Sequence, residues 1–248
     1  MRGLYQLLVI LMYACFAQGA KAIATDVIVY TEEFPPYNFT NSEGGVDGVA
    51  TANVRQILDA SDITYEMKVV PWPRAMARAL QDENSLIYTI ARTPEREELF
   101  DWLVPIGQSE FHLYVRADDQ RAVTRESLAS GTFIGVCLTK SLSCEYLRRV
   151  GIPEDKMIIV PNHGYPLPHM VVGGRADIYI NDRFFNAAHL KNAGLEPGVV
   201  KSVMVIESRG GFYLAAGTQV PEALRDKVRK AYARLVKAGR YQMVMLEE

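Results

Sequence analysis

Two successive runs of short apolar strands alternating with amphipathic helices constrain this chain more than any other feature. In the first run, residues 26–31 read as a strand and 49–60 as a helix with Val54, Ile57 and Leu58 on one face. Residues 65–70 read as the next strand, 74–81 as a helix and 86–91 as a strand. Such alternation marks βαβ units, parallel strands whose faces are covered by helices. A strand over 111–116 and a polar stretch over 117–125 separate this run from a second. There the pattern predicts strands at 132–136, 157–160 and 176–180, each leading to a helix, at 142–149, 167–172 and 183–192. Strands at 199–206 and 212–215 and a helix at 221–238, opened by Pro221 and stopped by Gly239, complete it. The fold class is therefore α/β, with two lobes. Ligands of open α/β sheets bind beyond the carboxyl ends of the strands, so two facing lobes share a cleft.

The amino terminus predicts the compartment. Met1-Arg2 is followed by an almost wholly apolar run over 4–16 and then by small residues over 17–24, with cleavage expected after Gly19, Ala22 or Ala24. This is the pattern of a secretory signal peptide, too short for a membrane span. A lipoprotein reading through Ala14-Cys15 has the bulky Tyr13 against it. Removing residues 1–24 takes Arg2 and Lys21 with it, leaving 25 basic against 29 acidic side chains and a net charge of −4. That balance argues against nucleic acid as a partner, which calls for a basic face. Cys137 and Cys144 remain after processing; they are either a pair closing a small loop or two buried thiols.

Several residues at strand ends are candidates for ligand contacts. The run Thr93-Pro94-Glu95-Arg96-Glu97-Glu98 follows an apolar strand and reads as a helix start. Its free N–H groups and the Arg96 fork suit a small carboxylate; the competing reading pairs Arg96 with a surface acid. Asp182 ends a strand, where it either holds an ammonium group or caps the helix beginning at Arg183. Phe34, Tyr37 and Trp72 sit beside prolines after the first two strands and offer stacking surfaces or local packing. Arg74 and Arg92 are further candidates for anion contact. Lys140 and Ser141 lie between a strand and a helix, a second set of free helix N–H groups. The four histidines, 112, 163, 169 and 189, have no metal-ligand spacing, and no nucleophile elbow, H-E-x-x-H or P-loop is present. No cofactor or metal is expected. The adjacent acids Glu32 and Glu33 point opposite ways in an extended segment.

Taken together, the strand and aromatic loop over 30–37, Thr93-x-x-Arg96, Ile134-Gly135-Val136, Gly174-Arg175-x-Asp177 and Gly239-x-Tyr241 resemble the periplasmic solute-binding proteins of family 3, the polar-amino-acid type. The resemblance covers essentially the whole mature chain. It implies a two-lobed periplasmic-binding-protein fold of type II with two hinge crossings, expected near 113–115 and 211–215. Lobe 1 is then 25–113 plus 214–248 and lobe 2 is 114–213. The resemblance also implies a carboxylate-gripping role for Arg96, an ammonium-holding role for Asp182, aromatic walls at Phe34 and Trp72, and a supporting hydroxyl at Ser141. The family's small hydroxyl residues are reduced here to Thr89, and Arg74 and Arg92 suggest a ligand with surplus negative charge. The expected function is binding of an amino acid or small carboxylate by lobe closure, for an ABC transporter permease or a sensor protein. The alternative is a cyclohexadienyl (prephenate) dehydratase-like enzyme on the same fold.

Overall fold

The computed structural model describes residues 26–161, 166–206 and 211–243. The expected leader, residues 1–24, and His163 lie outside the described residues. The chain forms two five-stranded sheets. The first has the order β4-β1-β5-β12-β6 and joins β1 (Val27–Thr31), β4 (Tyr65–Val69), β5 (Ser85–Ala91), β6 (Phe100–Gly107) and β12 (Phe212–Gly217). β1 runs parallel to β4 and β5, while β12 is antiparallel to β5 and β6. A small hairpin, β2 (Phe39–Thr40) with β3 (Val46–Asp47), precedes α1 (Val49–Asp59), and α2 (Trp72–Gln81) follows β4.

The second sheet has the order β11-β7-β10-β8-β9. It comprises β7 (Phe111–Arg116), β8 (Gly135–Leu138), β9 (Met157–Val160), β10 (Ile178–Asp182) and β11 (Val200–Ile206). Its helices are α3 (Arg125–Ala129), α4 (Leu142–Arg149), α5 (Pro166–Val172) and α6 (Arg183–Asn192). The last helix, α7 (Glu222–Lys237), returns to the first lobe and packs on α1 and β6. The chain leaves the first sheet after Gly107 and enters the second at Phe111, and it leaves the second after Ile206 and rejoins the first at Phe212. Gly211 lies against the end of β6: a Cβ on it would be 1.8 Å from the Gly107 carbonyl oxygen, so only glycine fits there.

Besides the β2–β3 hairpin and two short 3₁₀ turns at Glu154–Lys156 and Pro197–Val199, three elements differ from expectation for a local reason. β6 was not predicted, because Pro105 interrupts its pattern; β6 is an edge strand, where a proline costs no ladder bond. α3 lies at the end of the stretch read as polar loop, opened by a capping box between Thr124 and Ser127. The run after Thr93 is a short 3₁₀ turn, Pro94–Leu99, and not an α-helix. Strand β6 begins directly at Phe100, whose side chain is buried, and leaves no room for further turns. The two cysteines form a disulfide that ties the end of β8 to α4. Closing so short a loop contributes about 2–3 kcal/mol in the chain-entropy description.

Candidate functional site

Between the sheets lies a cavity of about 740 Å³, its solvent-open mouth included. Glu32, Phe34, Asn38, Trp72, Thr89 and Arg96 line it from the first lobe, and Thr139, Ser141, Ser143, Leu167, Asn181 and Phe185 from the second.

Backbone irregularity aims Thr89 into this space. Along β12 the register slips between Tyr213, opposite Ile90, and Leu214, opposite Tyr88, so Thr89 is an unpaired extra residue. Its φ of +57° is left-handed. For a β-branched residue that conformation costs on the order of 1–3 kcal/mol, and such bulges commonly re-aim a side chain beside a site. The Thr89 hydroxyl is buried and has no hydrogen-bond partner among the described residues. Asn38 is its counterpart. Its amide nitrogen donates to the Glu32 carbonyl at 2.7 Å, while its Oδ1 is buried and unpartnered among the described residues. An unmet buried donor or acceptor costs about 1–3 kcal/mol, which a ligand can return.

Arg96 is 4% exposed and lies against the Trp72 ring, 5.5 Å from its centroid. Its Nη2 donates to Glu145 Oε1 of the opposite lobe at 2.8 Å. Glu32 enters the cavity just past the carboxyl end of β1, while Glu33 turns outward to Thr40. Burial pushes the Glu32 carboxyl up to about 8, with the charge of Arg96 pulling the other way. Asn38 is not among the sequence candidates, and Glu32 appears there only as an acid pointing opposite to Glu33, with no ligand role. The signal was there: strand alternation sends one of the two acids inward, at a strand end where ligands bind.

On the second lobe, the Ser141 hydroxyl is 2.6 Å from that of Ser143, which accepts the Leu138 N–H. Thr139 donates its hydroxyl to the Val160 carbonyl. Asn181 is held by His189, 3.1 Å away, whose pKa burial lowers to about 4, so its ring stays neutral.

Five of the expected side chains thus line the cavity: Phe34, Trp72, Thr89, Arg96 and Ser141. Five do not. Asp182 is fully buried outside the cavity wall and already satisfied. Its Oδ1 accepts from the N–H groups of Phe184 and Phe185, both at 3.0 Å, and from the Tyr37 hydroxyl at 3.0 Å. Its Oδ2 accepts the Glu110 N–H at 3.1 Å. Burial raises its pKa against the pull of these bonds. Of its two readings, the helix cap is what the geometry provides, and Tyr37 serves that knot rather than a ligand. Arg92 turns away from the cavity to pair with Glu97 and lie over Trp102 and Tyr213. Arg74 and Lys140 are exposed. With neither Arg74 nor Arg92 in the cavity, the argument for a surplus anionic ligand loses its basis.

The sequence matches the family described as "Bacterial extracellular solute-binding proteins, family 3" over residues 27–246. No match was found among curated proteins. Solved structures share the fold. A histidine kinase sensor domain with similarity to periplasmic binding proteins superimposes with a TM-score of 0.74 at 18% identity, over 88% of this chain and 92% of that one. An ancestral arginine-binding protein bound to arginine gives 0.70 at 19% identity, over 87% and 94%. The arginine-, lysine-, histidine-binding protein ArtJ from Geobacillus stearothermophilus gives 0.69 at 17% identity, over 87% and 91%. Among the described residues no helix is long and apolar enough to cross a membrane.

Proposed function

The chain belongs to the bacterial extracellular solute-binding proteins of family 3, and from that premise we propose that it captures an amino-acid-like solute by lobe closure. Arg96 takes the solute's carboxylate, with Ser141 supporting from the second lobe. Glu32 and the free Oδ1 of Asn38 take an ammonium or other donor group, the role first expected of Asp182. Phe34 and Trp72 flank the aliphatic or planar part. The observation that carries this reading is the convergence, among the described residues, of the unpartnered buried atoms Thr89 Oγ1 and Asn38 Oδ1 on a cavity that also holds the Glu32 carboxyl and the Arg96 guanidinium. Relatives of the same fold that bind arginine support an amino acid as the solute class. The leader-like residues 1–24 support export to the periplasm, and the likeness to a kinase sensor domain keeps a sensor partner beside an ABC permease.

Thermal-shift screening against the amino acids, their decarboxylated amines and small carboxylates tests this. At a hundred times Kd, binding adds about 2.7 kcal/mol, which raises Tm by roughly 5–10 °C in a chain of this size. An amino acid is expected to do so and its amine to do so less; a flat panel contradicts the reading. One observation favours a second reading. A cleft acid pushed up to about 8 is protonated at neutral pH, as a general acid must be, which suits the dehydratase alternative. Prephenate incubated with the protein then yields phenylpyruvate; no product dismisses it.

A further inference from the structure

Arg96, the one cationic side chain lining the cavity among the described residues, is already engaged by a carboxylate of this chain. Glu145 stands in the first turns of α4 in the second lobe, and its Oε1 lies 2.8 Å from Arg96 Nη2 of the first. The guanidinium is 5% exposed and the carboxylate 22%, so the pair is shielded yet reachable from solvent. The other Glu145 oxygen is 3.5 Å from the Thr93 hydroxyl. One turn along α4, Arg149 reaches back to Glu95 at 3.3 Å, a second and more exposed pair across the same gap. The two ion pairs therefore bridge the lobes at this corner.

We propose that Glu145 is a tethered surrogate for the solute carboxylate: it closes the cleft by holding Arg96, and an incoming carboxylate must displace it. This rests on the reading of Arg96 as the carboxylate-binding residue. Removing a competitor raises apparent affinity by the inverse of the fraction of protein that was free to bind. Glu145 is thereby a specificity residue. It penalises every ligand that needs Arg96 and leaves untouched those held only by Glu32 and Asn38.

Small-angle scattering of the ligand-free mature protein tests the closure directly. Wild type is expected to be compact and Glu145→Gln to have a larger radius of gyration. Arg149→Gln, which breaks the more exposed pair, is expected to shift it less. A cooperative melt near that of wild type verifies that the variants fold. Equal radii for wild type and Glu145→Gln overturn the proposal. Calorimetry with L-arginine and with agmatine, its decarboxylated analogue, tests the displacement. Glu145→Gln is expected to tighten L-arginine at least tenfold and leave agmatine unchanged. An unchanged or weaker L-arginine affinity overturns the displacement. If Arg96→Ala leaves amino-acid affinity intact, the binding reading fails instead, while the scattering result stands by itself.

Discussion

Two corners of the inter-lobe region each bury an ionic side chain that bridges the halves of the molecule, and they do different work. At one, Asp182 gathers two helix N–H groups, the Tyr37 hydroxyl and the Glu110 N–H of the crossing segment. Aromatic rings fill in around it: Phe34 lies 4.2 Å from Phe185 and Tyr37 4.9 Å from Phe212, centroid to centroid. At the other, Arg96 has Glu145 as its one inter-lobe partner among the described residues and borders a cavity that also holds Thr89 and Asn38, each with an unmet polar atom. A buried charge by itself does not mark a binding site. What separates the corners is whether the surrounding donors and acceptors are already used.

The sharpest way to break this contrast is to truncate both charges. Arg96→Ala is expected to weaken amino-acid binding by about 2–5 kcal/mol, roughly 30-fold or more, measured by calorimetry. Asp182→Ala should act chiefly on stability. Losing the cap and stranding the buried Tyr37 hydroxyl costs about 2–3 kcal/mol, read as a lower midpoint in denaturant. Equal losses of affinity in the two variants would erase the distinction.

The acids also differ in their response to pH. The folded-state pKa of Glu32 lies above its unfolded value of about 4.5, so the folded protein binds the extra proton. Its contribution favours the folded state at low pH and is lost as pH rises through about 8. The Tm of the ligand-free protein should therefore fall between about pH 4.5 and about pH 8 and level off above that, and Glu32→Gln should flatten that slope; an unchanged slope would show that another group titrates. Binding of a cationic group to Glu32 should release a proton and strengthen with pH over the same window. The smallest effect is expected at the neutral second wall. Ser141→Ala removes one hydroxyl that already has Ser143 as partner, so affinity should drop by about 1 kcal/mol, some fivefold.

Much of this architecture was legible because periodicity is a local property. The alternation of strands and helices marked both lobes, and Pro221 and Gly239 bracketed the last helix. Strand β6 was hidden by Pro105, which only an edge position excuses. Arg96 was readable from its place after a strand. The roles of Asp182 and Arg92 were not, because each depends on a partner distant in sequence: Tyr37 for one, the Tyr213 ring for the other. A capping residue at a strand end and a ligand-binding residue at a strand end look the same in one dimension. Thr89 was marked only as a hydroxyl; the bulge that turns it inward comes from pairing with Tyr213 and Leu214 of β12, far along the chain.

The most direct measurement is a crystal structure of the mature protein with the amino acid that raises its Tm most. The account predicts the solute between the lobes, its carboxylate on Arg96, its donor end at Glu32 and Asn38 Oδ1, and Asp182 still capping α6. A solute ammonium seated on Asp182, or a solute bound outside this cavity, would contradict it.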